Sequence, residues 1–260
     1  MKRTIMQPDA SAFPEVFRPL LKGAAVYDSS CSPEARVYFI DKDEGIYLKS
    51  APAGTLEREA VMTNYLHRKG LATEVLAYHQ ADRDWLLTRA VAGEDCTHAD
   101  YLADPKRLSE MLGILLRNLH SIDPSDCPID HTSGYFAAAR NNFARGTFDP
   151  SMFPEAWRCA SREEAVRLAG EGSRLLKHDT LLHGDYCLPN VMLKDWNFSG
   201  FIDVGNGGIG DRHVDLFWGI WSLGFNLKTD AYCDRFLDAY GREDVDVELF
   251  PILCALESFG

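Results

Sequence analysis

The stretch LLHGDYCLPNVMLKDWNFSGFIDVGNGG, residues 181–208, decides the fold of this chain. Two short predicted strands at 191–193 and 199–202 flank turn-forming residues at 195–197, and this pattern predicts a β-hairpin. Because paired strands lie only ~5 Å apart, the hairpin brings the residue after its second strand back beside the residue before its first. The polar side chains at the two ends of the hairpin are therefore predicted to lie close together.

Asp185 and Asn190 stand at the two ends of one irregular loop, since Gly184 and Pro189 disfavour a regular element there. Asp203 follows the second strand of the hairpin, which places it beside Asn190. A carboxylate and an amide oxygen that converge at a strand end offer the hard oxygen ligands that suit Mg²⁺. Asp185 is then free to act on a substrate. An ordinary turn residue at Asp203 also fits the sequence, and both interpretations stay open here.

Phosphoryl transfer uses parts of this kind: metal ions that bridge the phosphates, and a carboxylate that orients and deprotonates the incoming hydroxyl. It also requires a cation on the phosphates that are not transferred. Lys49 at the end of a predicted strand and Glu59 in the following helix could supply that cation and its partner. The same two residues could instead be separate and solvent-facing. The joint order of lysine, base loop, metal ligand, hairpin and second metal ligand favours phosphoryl transfer more than any one part does.

The pattern of apolar residues divides the chain into a strand-rich part and a helix-rich part. Before residue 90 the spacing predicts a hairpin, one helix and two more strands, at 36–40 with 46–49, 56–68, 74–78 and 85–88. After the connector it predicts helices at 108–119, 133–145, 162–177, 214–223 and 231–239. We expect an α+β, two-lobed fold, with a small mostly-β lobe at 1–89, a larger mostly-α lobe at 90–260 and a hinge at about 89–93.

The 260 residues carry 39 Asp and Glu against 27 Lys and Arg, a formal net charge of −12. Hydrophobic residues make up 46% of the chain, so disordered, collagen-like and coiled-coil proteins are excluded. The acidic balance argues against nucleic acid and anionic membranes as partners, and it suits a small cationic ligand. Seven acids against two arginines at 230–248 form either a solvated face or one wall of a cleft for a polycation.

The seven cysteines are scattered and form no CxxC pair, which favours reduced thiols over disulfides or a zinc site. The amino terminus has no apolar run of the kind found in signal peptides, and no stretch approaches the ~20 apolar residues of a membrane span. We therefore expect a cytoplasmic protein without a membrane-spanning segment.

The chain resembles the aminoglycoside phosphotransferases, in particular the 3′ enzymes, which belong to the protein-kinase-like superfamily. The matching stretches are SPEARVY (32–38), IYLK (46–49), EREA (57–60), LHSIDPSDCP (119–128), HGDYCLPNVML (183–193), SGFIDVG (199–205), and Asp211-Arg212 with Asp215. The resemblance implies a two-lobed protein-kinase-like fold and an enzyme that uses ATP and Mg²⁺ to phosphorylate an aminoglycoside at its 3′-hydroxyl, conferring antibiotic resistance. It leaves open GTP as the donor and a monomer or a weak dimer as the assembly.

The resemblance also implies a role for each residue of the predicted site. Asp185 would be the catalytic base, and Asn190 and Asp203 would bind Mg²⁺. Lys49 would contact the α- and β-phosphates, with Glu59 as its partner in the helix.

Further residues of the nucleotide site and the catalytic loop follow from the same resemblance. The implied nucleotide contacts are Ser32 over the β-phosphate, Tyr47 stacked on adenine, and the hinge backbone at Arg89 and Val91. His183 would shape the catalytic loop, and Asp215 would clamp it.

On the acceptor side the resemblance is incomplete. The 3′ enzymes usually have Arg where this chain has Asn206, and some place acidic residues at the positions of Phe225 and Asn226. The candidate substrate contacts are Glu155, Asn206, Glu257, and Phe259 with the terminal carboxylate. Both glutamates could equally be solvated surface.

Three other functions compete with this interpretation. A kinase for another small hydroxylated amine or metabolite would keep the chemistry and change the acceptor. A pseudokinase would have lost Lys49, Asp185 or Asp203, and all three are present. A thiol enzyme that uses Cys187 and His183 lacks a third group to orient the histidine.

Overall fold

The computed structural model describes residues 3–31, 33 and 35–259, and the predicted site residue Ser32 lies outside them. The chain forms two units. The sheet unit contains Met1–Asp95 and Val191–Gly205, and the helical unit contains Cys96–Asn190 and Asn206–Gly260. Strands predominate in the first unit and helices in the second, which confirms the predicted α+β class.

Within the described residues the strands are β1 Thr4–Met6, β2 Ala25–Asp28, β3 Arg36–Asp41, β4 Ile46–Pro52, β5 Val75–Gln80, β6 Arg83–Arg89, β7 Glu94–Asp95, β8 Thr180–Leu182, β9 Val191–Lys194, β10 Asn197–Phe201 and β11 Gly208–Gly210. The helices are α1 Arg18–Leu21, α2 Glu57–Arg68, α3 Ala99–Leu102, α4 Pro105–His120, α5 His131–Ala144, α6 Arg162–Leu175, α7 His213–Leu227, α8 Cys233–Tyr240 and α9 Phe250–Glu257.

The first six strands form one antiparallel sheet in the order β1-β2-β3-β4-β6-β5. Side chains alternate along β4, so Ile46 and Leu48 point into a buried cluster on one face while Tyr47 and Lys49 point to the other. Lys49 is opposite Leu86 of β6, and Leu86 packs against the beginning of α2. The lysine therefore lies on the sheet face that α2 covers.

Strands β9 and β10 form the predicted hairpin. Its turn has left-handed φ angles of 52° at Asp195 and 63° at Trp196. Strand β9 also pairs with β7, and the Phe201 N–H donates to the Leu71 carbonyl at 2.8 Å. Backbone bonds thus join both strands of the hairpin to the sheet unit.

The unit boundaries differ from the predicted division at residue 89. The segment 191–205, which contains the hairpin, belongs to the sheet unit, although the sequence assigned it to a lobe at 90–260. The physical reason is strand pairing, because β9 satisfies its backbone groups on β7, whose two residues extend the sheet unit to Asp95. The assignment of nucleotide binding to one lobe and catalysis to the other stays a prediction.

In helix α4 the local sequence signals agree with the observed packing. The Asp104 carboxylate accepts the Arg107 N–H, and Pro105 occupies the first turn. Four leucines of the predicted apolar stripe are buried, Leu108, Leu112, Leu116 and Leu119, and the other two members, Met111 and Leu115, are half-buried. The five helices predicted beyond the connector match α4 to α8 to within a few residues. Across the described residues, every helix falls short of the length and apolar character that a membrane crossing requires.

Two helical glycines of the helical unit test how closely its helices pack. A Cβ on Gly113 of α4 would lie 2.4 Å from the Phe236 carbonyl oxygen of α8, whereas a Cβ on Gly170 of α6 would meet nothing within 4 Å. We expect Gly113→Ala to destabilise the protein by about 2 kcal/mol, because backbone atoms cannot rotate away as a side chain can. Gly170→Ala should stabilise it by about 0.5–1 kcal/mol through helix propensity.

Urea unfolding followed by circular dichroism measures both changes in the free energy of unfolding. A Gly113→Ala protein as stable as the Gly170→Ala protein would contradict the close approach of α4 and α8.

Candidate active site

Three charged side chains meet on one face of the sheet unit. The Lys49 ammonium lies 2.8 Å from Glu59 Oε2 and 2.7 Å from Asp203 Oδ1. The Lys49 side chain is 22% exposed and that of Glu59 is 13% exposed, while Asp203 is 52% exposed. Two separate solvent-facing residues do not fit this geometry. The structure brings Lys49 together with Glu59, its predicted partner, and also with Asp203, which the sequence had predicted only beside Asn190.

The charge of Lys49 is secure in this cluster. Burial acts to lower the pKa of the ammonium, but attraction to the Asp203 and Glu59 carboxylates outweighs it and raises that pKa above its ordinary value. One permanent cation is therefore held between two carboxylates, and it can neutralise phosphate oxygens at any physiological pH.

Asp203 has an uncommon backbone conformation. Its φ is 54°, in the left-handed region that residues other than glycine seldom occupy. Such conformations cluster at functional sites, where surrounding structure holds them. The turn after β10 places the Asp203 carboxylate against Lys49, a contact that an ordinary turn position does not require.

The helical unit carries the predicted catalytic loop, at 183–190. Asn190 Nδ2 donates to Asp185 Oδ2 at 2.9 Å and to the Asp185 carbonyl at 3.0 Å. The Cys187 N–H donates to the same carbonyl at 2.8 Å. The amide of Asn190 thus fixes the rotamer of the Asp185 carboxylate, which remains partly exposed.

Asp215 holds this loop from below. Its carboxylate accepts the His183 N–H and the Gly184 N–H, each at 2.7 Å, and the side chain is fully buried. Gly184 has a φ of +83°, and a Cβ there would lie 2.1 Å from the Asn206 carbonyl oxygen, so only glycine fits. The bonds from the loop confirm the predicted clamp role of Asp215.

Cys187 is a packing residue of the loop. Its side chain is 6% exposed, and burial raises the pKa of the thiol well above its ordinary value. A thiol in that state is a poor nucleophile, which argues against the alternative of a Cys–His enzyme.

The donor chemistry of the predicted metal ligands fits Mg²⁺. Asn190 offers an amide oxygen, because its nitrogen is turned toward Asp185, and Asp203 offers a half-exposed carboxylate. The described residues contain no group of three or more His, Cys, Asp or Glu that could hold a metal ion by themselves.

The predicted adenine contacts lie in the sheet unit. Tyr47 shares the face of Lys49, its ring centroid is 5.1 Å from that of Phe39, and its hydroxyl accepts from Arg3 at 2.8 Å. Arg89 engages both backbone groups within the sheet, its N–H with the Glu74 carbonyl and its carbonyl with the Thr73 hydroxyl. The hinge position that continues to fit the predicted adenine contact is therefore Val91, which lies beyond the sheet pairing.

Of the predicted acceptor contacts, Glu257 has a defined environment. Its Oε1 accepts the Tyr135 hydroxyl at 2.7 Å and the Trp218 indole N–H at 3.1 Å. Burial raises the pKa of the Glu257 carboxyl to about 7, and the negative charge of Asp185 acts in the same direction. Sequence reasoning missed Tyr135, since nothing in the pattern of α5 distinguishes it from a packing residue.

The other predicted acceptor contacts are less enclosed or differently placed. Glu155 is exposed in a short 3₁₀ turn, and Asn206 is exposed while its carbonyl bonds His131 Nδ1 at 2.7 Å. Phe259 is 2% exposed and packs against the rings of Phe143 and Phe148. The ring of Phe259 is part of the core, so only its backbone is left for the predicted substrate contact.

Comparison with known proteins gives the family. A family model described as the phosphotransferase enzyme family matches residues 33–250. A probable aminoglycoside 3′-phosphotransferase of Lactococcus lactis subsp. lactis (strain IL1403) is 46% identical over 250 residues, 95% of each chain. An aminoglycoside 3′-phosphotransferase of Streptomyces fradiae is 31% identical over 254 residues, 91% of each chain.

Solved structures agree with the sequence relatives. The crystal structure of an aminoglycoside-3′-phosphotransferase of type VIII superposes with a TM-score of 0.76 at 26% identity, over 96% of both chains. An aminoglycoside phosphotransferase from Streptomyces rimosus ATCC10970, in complex with ADP and streptomycin, gives a TM-score of 0.71 at 25% identity, over 86% of this chain and 90% of that one. The chain therefore belongs to the aminoglycoside phosphotransferase family, and the predicted kinase-like fold and phosphotransferase class are confirmed.

The raised pKa of Glu257 has a consequence for stability. The folded protein holds a proton on this carboxyl up to about pH 7, whereas the unfolded chain loses it near the ordinary value of 4.5. Stability from this group is therefore complete at low pH and declines as the pH rises through about 7. We expect Glu257→Gln to remove this decline, so that its melting temperature falls less than that of the parent between about pH 5 and about pH 8.

Thermal unfolding across that pH range measures the difference, and Glu155→Gln at an exposed position serves as the matched control. The control should follow the parent curve. Parallel curves for the parent and Glu257→Gln would contradict a buried, protonated carboxyl at this position.

Proposed function

We propose that this enzyme transfers the γ-phosphoryl group of ATP to the 3′-hydroxyl of an aminoglycoside antibiotic and so confers resistance to it. The observation that carries the proposal is the Asp185 carboxylate, oriented by Asn190 at 2.9 Å in a loop clamped by Asp215. The names of the relatives support the acceptor class. Because the cytoplasm supplies ATP, we expect the reaction to take place there.

The chain's own residues supply positioning and charge. The acceptor hydroxyl donates to the Asp185 carboxylate, which orients the hydroxyl oxygen toward the γ-phosphorus and takes its proton as the new P–O bond forms. The bond between the γ-phosphorus and the β,γ-bridging oxygen breaks in the same step, and ADP leaves. Lys49 binds oxygens of the non-transferred phosphates and balances charge that builds up on the leaving group. Asn190 and Asp203 would hold Mg²⁺, which when bound neutralises phosphate charge and orients the phosphates.

On the acceptor side, Glu257 offers a carboxyl whose pKa is raised by burial and also by the negative charge of Asp185. An ammonium group of the acceptor beside Glu257 would favour the ionised carboxylate and gain an ion pair. This is the contact that we expect a cationic acceptor to use in the helical unit.

One observation favours a second candidate, a kinase for a less cationic hydroxylated amine. Phe225 is 56% exposed and stacks on Trp221 with ring centroids 5.1 Å apart, at a position where some 3′ enzymes have an acid. The Lys228 ammonium lies 4.1 Å from the centroid of the Phe225 ring, so this place already holds a positive charge and favours a sugar ring or an apolar group over a further ammonium group.

An acceptor panel tests the proposal directly. We expect ADP release to depend on kanamycin and to be absent with a 3′-deoxy aminoglycoside, because the latter lacks the attacking hydroxyl. Measuring ADP release with ATP and GDP release with GTP identifies the donor. Activity confined to acceptors outside the aminoglycosides would replace this proposal with the second candidate.

Within that assay, Asp185→Asn should lower kcat by about 10²–10⁴-fold, since a neutral amide can neither take the proton nor orient the hydroxyl by charge. The matched control is Asp195→Asn, in the exposed turn of the hairpin, where Asn tolerates the left-handed φ of 52°. An Asp185→Asn enzyme as fast as the control would exclude Asp185 as the base.

The nucleotide half of the site makes a separate prediction. Lys49→Met should lower kcat/KM for ATP by about 10²-fold, because the phosphates lose their fixed cation. Lys194→Met removes a lysine from an exposed end of β9 and serves as the control. Steady-state kinetics with varied ATP separates the two variants, and equal kcat/KM values would rule out phosphate binding by Lys49.

A further inference from the structure

A chain of hydrogen bonds runs beneath the catalytic loop, entirely within the helical unit. His120 Nε2 lies 3.1 Å from Asp215 Oδ2, and His120 Nδ1 lies 2.9 Å from the Tyr240 hydroxyl. The side chains of Asp215 and His120 are 0% and 1% exposed. Neither His120 nor Tyr240 has a part in the proposed chemistry.

The protons of these hydrogen bonds have one consistent arrangement. Burial would raise the pKa of Asp215, but the hydrogen bonds from the His120 ring and the His183 N–H lower it on balance, so the carboxylate is ionised and Nε2 of His120 donates to it. Burial lowers the pKa of His120, so the ring is neutral and Nδ1 accepts. The donor to Nδ1 is Tyr240, whose pKa burial raises to about 12.

The three residues stand at the ends of three helices. His120 is the last residue of α4, Tyr240 is the last residue of α8, and Asp215 lies in the first turn of α7. The Asp215 carboxylate also receives the N–H groups of His183 and Gly184. These hydrogen bonds therefore connect the packing of three helices to the loop that carries Asp185.

We propose that His120 and Tyr240 are positioning residues for the catalytic loop, which act by fixing the Asp215 carboxylate that holds the loop's N–H groups. Without the His120 donor, a buried carboxylate would lose one of its hydrogen bonds and could turn away from the loop. The inference rests on the proposed function only in taking Asp185 as the residue that the loop must place.

Two substitutions of His120 separate its bond to Asp215 from its packing. His120→Gln places an amide N–H near the position of Nε2 and keeps a donor to Asp215, whereas His120→Asn reaches only the position of Nδ1. We expect hydrogen exchange at His183 and Gly184 to rise at least about tenfold in the Asn variant, relative to the α7 backbone, and to change little in the Gln variant. His178→Gln, at an exposed histidine, is the control for the substitution itself.

The same variants are then compared in steady-state kinetics. His120→Asn should lower kcat about 10- to 100-fold with KM for ATP unchanged, since misplacement of the loop affects the reacting geometry and spares nucleotide binding. Tyr240→Phe, which keeps the ring and removes only the hydroxyl, should give a smaller loss of kcat in the same direction, and it serves if His120→Asn does not fold.

Equal exchange rates and equal kcat values for the Gln and Asn variants would overturn the proposal, as would exchange that rises uniformly through β8, α7 and the loop. If the parent enzyme phosphorylates no aminoglycoside, the proposed function fails. The exchange measurement still decides the positioning role in that case, because it requires no acceptor.

Discussion

The buried carboxylate of Asp215 is the constraint on which the catalytic loop depends. A charge with 0% exposure is stable only where hydrogen-bond donors replace the water that it has lost. Two of those donors are backbone N–H groups of the loop, at His183 and Gly184. A displaced loop would leave the carboxylate short of donors, so folding of the helical unit and placement of Asp185 are the same physical problem.

The sheet unit solves a related problem with a cation. Lys49 lies between two carboxylates that differ in exposure, Glu59 at 13% and Asp203 at 52%. The enclosed partner keeps the ammonium in place, while the exposed one can exchange Lys49 for another cation as a ligand arrives. That asymmetry suits the proposed roles, a fixed lysine for the phosphates and a carboxylate that remains available to Mg²⁺.

The sequence predicted those parts of the fold that have local signals. The hairpin at 191–202 has turn residues between apolar runs, and α4 has a cap and a regular apolar stripe. Helix α9 was not predicted, because six of its eight residues are buried and it has no polar face to set a period. The paired strands β8 and β11 have three residues each, too few for alternation to be visible.

Residues of the candidate site also divide into those with a local sequence signal and those without one. Asp185, Asn190 and Asp203 could be predicted because polar residues beside glycine and proline at strand ends are conspicuous in the sequence. His120 could not, since it closes a helix whose pattern indicates only packing, and its partner Asp215 is 95 residues away in the chain. Contacts of that kind come from how the helices pack, which the spacing of residues along the chain does not encode.

Placement of single carboxyls says more about the acceptor than the net charge of −12 does. In the acidic segment at 230–248, Asp234 and Asp238 both bond Arg242, and Asp244 bonds Arg117 and Arg212. Much of the negative charge of this segment is therefore balanced by nearby arginines, which fits a solvated face better than the wall of a cleft.

Glu257 differs from those acids because burial and Asp185 keep its carboxyl protonated up to about pH 7. A cation that arrives beside it lowers that pKa again, and the carboxyl then releases a proton and becomes the counter-ion. In the proposed reaction, recognition of an ammonium group at Glu257 is therefore linked to proton release, with an affinity that rises with pH below about 7. An acid that is ionised beforehand and paired with arginine has no such response, which is why the acidic segment contributes little to the choice of acceptor.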